Sequence, residues 1–353
     1  MTTHRSDGRP NLEQVAARAG VSRATASRVV NGFATVDPSL RERVERAVAD
    51  LGYQPNQAAR SLVTRRTDTV ALVAAEPAGT VFGDPFFGDV VRGVTQEATA
   101  AGLQTSLFMT ASAADLDRVA RYLASAPVDG VLVVAEHAGY DPLPAAMLTA
   151  GVPLVIGGRP LQPGLDVPYV DNDNAGGGRA AAQHLAAAGR RVVGTVAGPA
   201  DMAAGIDRLA GFRAGLGRAL RAARVEHGDF TVDGGEAATA RLLERVPELD
   251  GLFAANDLMA LGALRALRRA GRRVPDDVAL VGFDDAPLAA LADPPLTTLR
   301  QDTVLQGRTM LRMLLARTRP GAVDAAGHSH GLPAVADVDN VVLPVPLVVR
   351  ASA

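Results

Sequence analysis

The sequence predicts an α/β protein in two unlike parts: a short helix-turn-helix module, then a long body of doubly wound parallel sheets. Three observations predict it. Near the N-terminus, two capped helical stretches meet at a single glycine. From Thr69 onward, apolar strand runs alternate with amphipathic helical stretches. Charge is also divided: residues 1–66 hold eleven Arg against six acids, and the remainder holds twenty-five Arg against thirty-two acids. A basic module on an acidic body points to a polyanion at one end only.

In the first module, Asn11 caps a helix through Ala19, with Gln14 three residues on as in a capping box. Leu12, Val15, Ala16 and Ala19 share one face of it, and Gly20 supplies the positive φ that stops it. Ser22 caps a second helix, Arg23 to Val30. A third starts near Asp37-Pro38, buries Leu40, Val44, Ala47, Val48 and Leu51, and ends at Gly52. The second helix of such a pair enters the major groove, where Arg23, Ala24, Ser27 and Arg28 project. Arg pairs bidentately with guanine O6 and N7, and the hydroxyls of Thr25 and Ser27 suit phosphates. Taken alone, Gly-Val-Ser between helices fits a purely structural helix pair equally well. Residues 56–62 follow, capped by Asn56 but barely two turns long, too short for a helix that stands alone in water. They read either as an ordinary linker or as a coupling element.

In the body, strands are expected at 69–73, 104–109, 130–134 and 153–156, with helices at 87–101, 114–124 and 143–150. After a Pro/Gly-rich stretch at 157–168, a second unit repeats the pattern. Its strands fall at 169–170, 192–196, 251–254 and 278–281, and its helices at 174–188, 207–222, 234–245 and 256–270. Two similar lobes imply a cleft between them, with ligands beyond the carboxyl ends of the strands.

Composition narrows the function classes. Zero Cys removes disulfides and thiolate metal sites and fits a reducing cytosol. No apolar run follows His4, Arg5 and Arg9, so no signal peptide is expected, and no stretch of eighteen apolar residues suggests a membrane span. Every one of the 36 basic residues is Arg, a bias that fits GC-rich codons rather than a functional demand.

The runs Leu12-Glu13-Gln14-Val15-Ala16, Ala19-Gly20-Val21-Ser22 and Thr25-Ala26-Ser27-Arg28-Val29-Val30-Asn31-Gly32 resemble the DNA-binding headpiece of the LacI/GalR family of bacterial transcription regulators. So do Leu51-Gly52-Tyr53-Gln54-Pro55-Asn56 and Ala59-Arg60-Ser61-Leu62. Asn11 stands where Thr is usual and caps as well; Ala26 stands where Val is usual and should loosen the headpiece core slightly. The resemblance continues through Asp84-Pro85-Phe86-Phe87, Val170-Asp171-Asn172, Arg208-Leu209-Ala210-Gly211-Phe212, Ala255-Asn256-Asp257 and Val281-Gly282-Phe283-Asp284-Asp285. It implies a two-lobed body of the periplasmic-binding-protein fold. The implied domains are a headpiece at 1–55, a hinge helix and linker at 56–66, and an effector-binding and dimerisation body at 67–353. Within the body, the N-lobe takes about 67–162 plus 300–318 and the C-lobe about 163–299 plus 340–353, with crossings near 160–168, 296–302 and 318–340.

The resemblance also implies sites. Toward DNA it marks Ser22, Arg23, Ala24, Thr25, Ser27, Arg28 and Asn31, together with hinge residues Asn56, Ala59 and Leu62. Leu62 would wedge into the minor groove, a cost in unstacking offset by contacts on bent DNA. Toward an effector it marks Phe86, Phe87, Arg208, Phe230, Asn256, Asp284 and Gln301. Polar groups converging with rings suit a sugar or other small polyol. Phe87 fits pocket and core equally, and Met202 stands where the purine-binding branch places an Arg, which speaks against a purine.

Other motifs are weaker. Gly176-Gly177-Gly178-Arg179-Ala180-Ala181 mimics a dinucleotide fingerprint, but Asp201 is a loose fit for the acid it requires, so a plain helix start is the better reading. His328 and His330 have no third metal ligand and read as a surface loop. The expected protein is therefore a cytoplasmic, nucleoid-associated repressor without cofactor, metal or membrane, not an enzyme. Its partners are double-stranded operator DNA, a sugar-like effector and a second copy of itself. A chain ending soon after Arg350 favours a dimer. The alternatives are a sugar-binding receptor with no DNA role, which the headpiece opposes, and a dinucleotide-dependent oxidoreductase.

Overall fold

The computed structural model describes residues 10–31, 33, 35–54, 66–125, 128–139, 142–162, 164–319 and 338–353. The expected hinge, with Asn56, Ala59 and Leu62, and the loop bearing His328 and His330 lie outside the described residues. The chain divides after Asp68 into two units.

The first unit is three helices, α1 (Leu12–Ala19), α2 (Arg23–Val30) and α3 (Pro38–Leu51). Asn11 Oδ1 accepts from the Gln14 N–H, and Gln14 Oε1 accepts from the Asn11 N–H, both at 2.9 Å. This capping box satisfies two backbone donors that α1 would otherwise leave orphaned. Gly20 stops α1 at φ 62°. Arg43 of α3 then donates to the carbonyls of Ala19 at 2.6 Å and Gly20 at 3.0 Å, closing the helix end from outside. Val15, Ala26 and Val44 meet with no exposed surface, so the small Ala26 has not opened this core to solvent.

The second unit begins with β1 (Thr69–Ala74), α4 (Ala78–Gly83), α5 (Pro85–Ala100), β2 (Gln104–Met109) and α6 (Ala113–Ser125). Next come β3 (Gly130–Val134), α7 (Pro142–Ala150), β4 (Leu154–Gly157) and β5 (Tyr169–Asn172). The chain continues through α8 (Asn174–Ala187), β6 (Val193–Ala197), α9 (Ala203–Leu216), β7 (Val225–His227), α10 (Val232–Arg245) and β8 (Gly251–Ala254). It ends with α11 (Asp257–Arg269), β9 (Ala279–Asp284), α12 (Pro287–Leu291), β10 (Thr297–Arg300), α13 (Thr303–Thr318), β11 (Asn340–Leu343) and β12 (Leu347–Val348).

These strands form two six-stranded sheets, ordered β11-β5-β4-β3-β1-β2 and β12-β10-β9-β8-β6-β7. Every pairing is parallel except β10 with β12. Parallel strands bury both faces, so successive residues face opposite helix layers. On β3, Leu132 and Val134 pack with Val90 and Val94 of α5 and Met310 and Leu314 of α13. Val131 and Val133 turn the other way, onto Leu116 and Leu123 of α6 and Met147 of α7. On β8, Leu252 and Ala254 join α10 and α11, and Phe253 joins Leu185 of α8 and Phe212 of α9.

The lobe allocation differs from the expected one in two places. Strand β5 pairs with β4 in the first sheet, and β11 pairs with β5 there too, so residues 169–172 and 340–343 belong to the first lobe. The chain therefore crosses between lobes at 173, 301–302 and 344–346, later than the Pro/Gly-rich stretch suggested. The reason is that strand partners in a parallel sheet are set by long-range pairing, which a local turn signal does not report. The helix expected from 207 begins instead at Ala203 and stops at Gly217, whose φ of 56° breaks it. Asp207, the expected first residue, lies inside the helix.

Candidate functional site

In the headpiece, the exposed side of α2 carries Ser22, Arg23, Ala24 and Arg28, while Ala26 and Val29 point into the core. Ser22 caps the helix by accepting from the Thr25 N–H at 3.1 Å, and the two hydroxyls lie 2.9 Å apart. Ser27 accepts from Asn31 Nδ2 at 3.2 Å. Arg23 lies 3.7 Å from Glu13, a fully solvated pair that contributes little. The two guanidiniums of α2 are thus presented outward on a helix whose own needs are met.

In the body, a cavity of about 440 Å³ opens between the lobes at the carboxyl ends of the strands. All seven residues expected toward an effector line it: Phe86, Phe87, Arg208, Phe230, Asn256, Asp284 and Gln301. The structure joins most of them to one another. Arg208, on α9 and 4 % exposed, donates from Nε to Asn174 Oδ1 at 2.9 Å. Its Nη1 reaches the Ala255 carbonyl at 2.6 Å and Asp284 Oδ1 at 3.2 Å, and its Nη2 reaches Gln301 Oε1 at 3.3 Å. Its plane lies 3.7 Å over the Phe283 ring. The Arg208 guanidinium is therefore largely occupied by protein acceptors. Asp284 accepts in turn from Gln301 Nε2 at 2.6 Å. Asn256 spends both ends, capping α11 through the Met259 N–H at 2.9 Å and donating to the Phe230 carbonyl at 3.0 Å. Phe86 and Phe87 meet edge-to-face at 5.1 Å, and Phe87 is 5 % exposed, at once a wall of the cavity and part of the first lobe's core.

Arg208 reaches this position because α8 and α9 touch backbone to backbone. A Cβ on Gly178 would fall 2.1 Å from the Arg208 carbonyl, and one on Gly211 would fall 1.9 Å from that of Ala175. The glycine run that mimicked a nucleotide fingerprint is thus a helix-packing surface, with Asp173 capping α8 through the Gly176 N–H at 2.8 Å.

The cavity is acidic, and burial sets its titration. Desolvation pushes the Asp171 carboxyl up to about 6, and it raises Asp84 and, more strongly, Asp284, although the Arg208 guanidinium opposes it in each case. Three of the five described non-glycine residues with positive φ also line the cavity: Ala135 (60°), Phe230 (64°) and Asp284 (113°). Such conformations cost of order 1–3 kcal/mol each and gather at functional sites.

Sequence reasoning missed much of the first-lobe wall: Glu76, Glu136, His137, Arg159, Asp171 and Asn172 all line the cavity. Each lies at or just beyond the carboxyl end of β1, β3, β4 or β5, so the rule for ligand position in such sheets would have found them. Two of them reach across the cleft. Arg159 forks onto Asp207 at 2.9 Å through both Nε and Nη2, and His137 meets Asp201 at 2.8 Å.

Comparison with known proteins gives a consistent picture. Residues 11–56 match the family model described as bacterial regulatory proteins, lacI family, and residues 182–352 match the periplasmic binding protein-like domain. The HTH-type transcriptional regulator CelR of Thermobifida fusca is 51% identical over 313 residues, 88% of this chain and 92% of that one. Among solved structures, a transcriptional regulator CelR–cellobiose complex is 46% identical with a TM-score of 0.73, covering 98% of this chain and 100% of the other. The lac repressor dimer bound to operator and the anti-inducer ONPF is 28% identical with a TM-score of 0.80, covering 98% and 99%.

Proposed function

The chain belongs to the lacI family of bacterial regulatory proteins and is a DNA-binding transcriptional regulator, and on that premise we propose that it is a repressor controlled by an uncharged sugar of the cellobiose type. The observation that carries the sugar assignment is the cleft. Its volume of about 440 Å³ lies in the range of small-molecule sites. It offers carboxylate acceptors and the rings of Phe86 and Phe230, and its two arginines, Arg159 and Arg208, already face Asp207 and Asp284. That chemistry accepts hydroxyls and repels phosphates and uronates, and a CelR relative is described in complex with cellobiose.

On DNA, two copies bind a near-palindromic operator as a homodimer, as the lac repressor dimer does on its own. Arg28 and Arg23 read bases from α2, Ser22, Thr25, Ser27 and Asn31 hold α2 against the backbone, and residues 56–66 form the hinge that delivers Leu62 to the minor groove. Effector and operator bias one two-state body, so their effects on each other are reciprocal. Regulation proceeds by binding alone, without a catalytic step, in the cytoplasm on the nucleoid.

The test is an operator titration and thermal melt with cellobiose, glucose, ribose and hypoxanthine. Cellobiose at a hundred times its Kd should add about 2.7 kcal/mol of stability and change operator affinity, the sign of that change separating inducer from co-repressor. A melt that responds to hypoxanthine or ribose but not to cellobiose rejects the assignment. Leu62→Ala should weaken operator binding and bending without altering the melt; a lower melting temperature would place Leu62 in the body's core.

A further inference from the structure

Among the described residues, Arg159 with Asp207 and His137 with Asp201 bridge the cleft, and the second bridge contains a ring that titrates. His137 follows β3 in the first lobe. Its Nδ1 lies 2.8 Å from Asp201 Oδ2, beyond β6 in the second lobe, and its Nε2 lies 3.0 Å from Glu76 Oε1, beyond β1 in its own lobe. The backbones reinforce the contact: the Ala138 N–H donates to the Asp201 carbonyl at 2.6 Å, and His137 and Met202 form an antiparallel bridge. With a carboxylate at each ring nitrogen, only the imidazolium donates on both sides. A neutral ring donates on one side and presents a lone pair to the opposite carboxylate.

We propose that His137 is a proton-gated clasp: closing the cleft takes up a proton onto the imidazole, and losing that proton releases the Asp201 side. The charged groups facing the ring are Glu76 and Asp201, with Glu136 its neighbour in the chain. The hydrogen bond to Glu76 is the largest influence on the ring; with Asp201 it outweighs half-burial and lifts the His137 pKa to about 9. Opening removes Asp201 but leaves Glu76, so the value falls below about 9 while staying above the ordinary 6.5. The sign follows from linkage. Closure receives its full contribution from the clasp below the open-state value, and loses it as pH rises through about 9. Arg159, pairing with Asp207 in the other bridge, stays a guanidinium throughout that window, so it holds the lobes without reporting pH. The consequence is a regulator whose closed, ligand-retaining form is favoured in neutral or mildly acid conditions and weakened in alkaline ones.

The test needs no ligand. The chain contains no Cys, so Ala150→Cys on α7 and Ala210→Cys on α9, both exposed, allow a pair of spin or fluorescence labels to report the distance between lobes. From pH 6.5 to 9.5 the closed-to-open ratio should fall severalfold, by the factor with which Asp201 raises the ring's proton affinity beyond what Glu76 alone provides. His137→Gln should shift the population toward the open form and flatten the pH dependence. His137→Arg, which keeps a charge facing both carboxylates, should hold the closed form across the range. A wild-type distance distribution that does not change with pH, or a His137→Gln protein that titrates as the wild type does, overturns the clasp.

Discussion

The headpiece and the cleft assign structural and recognition duties in opposite ways. In the headpiece they fall to different residues: Val15, Ala26 and Val44 make the core and Arg43 closes α1, while Arg23 and Arg28 stand outside it. In the cleft they fall to the same residues. Arg208, Asp284, Gln301 and Asn256 line the cavity proposed for the effector; the first three also bond one another, and Asn256 caps α11. A helix face on a packed core can change its reading of DNA with little effect on folding. A polar wall made of mutually satisfied groups cannot be altered at one point without leaving another group unpaired.

The sharpest way to break this contrast is Arg208→Ala. It leaves Asp284 buried without its guanidinium, so the body should lose about 3–5 kcal/mol together with its effector response, while operator binding by folded protein persists. An unchanged melting temperature with the response lost would mean that Arg208 acts on the ligand alone. Next in size is Asp171→Asn. Burial raises this carboxyl to about 6, so its charged form is penalised increasingly as pH climbs from about 4 through 6. The variant should match the wild type near pH 4 and exceed its stability by roughly 1–3 kcal/mol at pH 8, yet bind cellobiose less tightly. A pH-stability curve parallel to the wild type's would show that burial does not penalise the Asp171 carboxylate.

On the headpiece side, Arg28→Ala should cost roughly 1–3 kcal/mol on operator and little on random DNA, with the melt unchanged. Equal losses on both DNAs would make Arg28 a phosphate contact. The smallest effect expected is that of Gly20→Ala, which meets both a φ of 62° and Arg43 Nη2 2.6 Å from the new Cβ. It should cost about 1 kcal/mol of headpiece stability, read by calorimetry. A neutral result would show that the α1–α2 turn can shift to accommodate it.

How far each region could be read from sequence follows the same division. Asn11, Gly20 and Ser22 act on residues three or four away, so the helix ends they set are visible in the linear pattern. The cleft depends on contacts such as Arg208 with Asp284 and Asn172 with Gln306, over 76 and 134 positions; Arg208 and Asp284 reached the sequence reading only through likeness to relatives, and the Asn172–Gln306 pair did not reach it. Nothing in the sequence around Asp207 indicates that its partner is Arg159 on the other lobe. His137, Glu76 and Asp171 carried no spacing motif at all; the first two lie in loops and Asp171 lies near the end of β5. Strands β5 and β11 were assigned to the wrong lobe because nothing in either segment names its neighbour.

Those two strands constrain the order in which the molecule can be made. A chain leaving the ribosome exposes β1 through β5 by residue 172, yet the edge of β5 waits for β11 at 340–343, and one layer of that sheet waits for α13 at 303–318. Until residues 303–318 and 340–343 are synthesised, the first lobe keeps a partly covered apolar face and an unpaired parallel edge. Pairings of that sequence separation are slow and aggregation-exposed. The body is therefore expected to fold after release rather than during translation, and a nascent chain halted near residue 300 should bind a chaperone that the finished protein ignores.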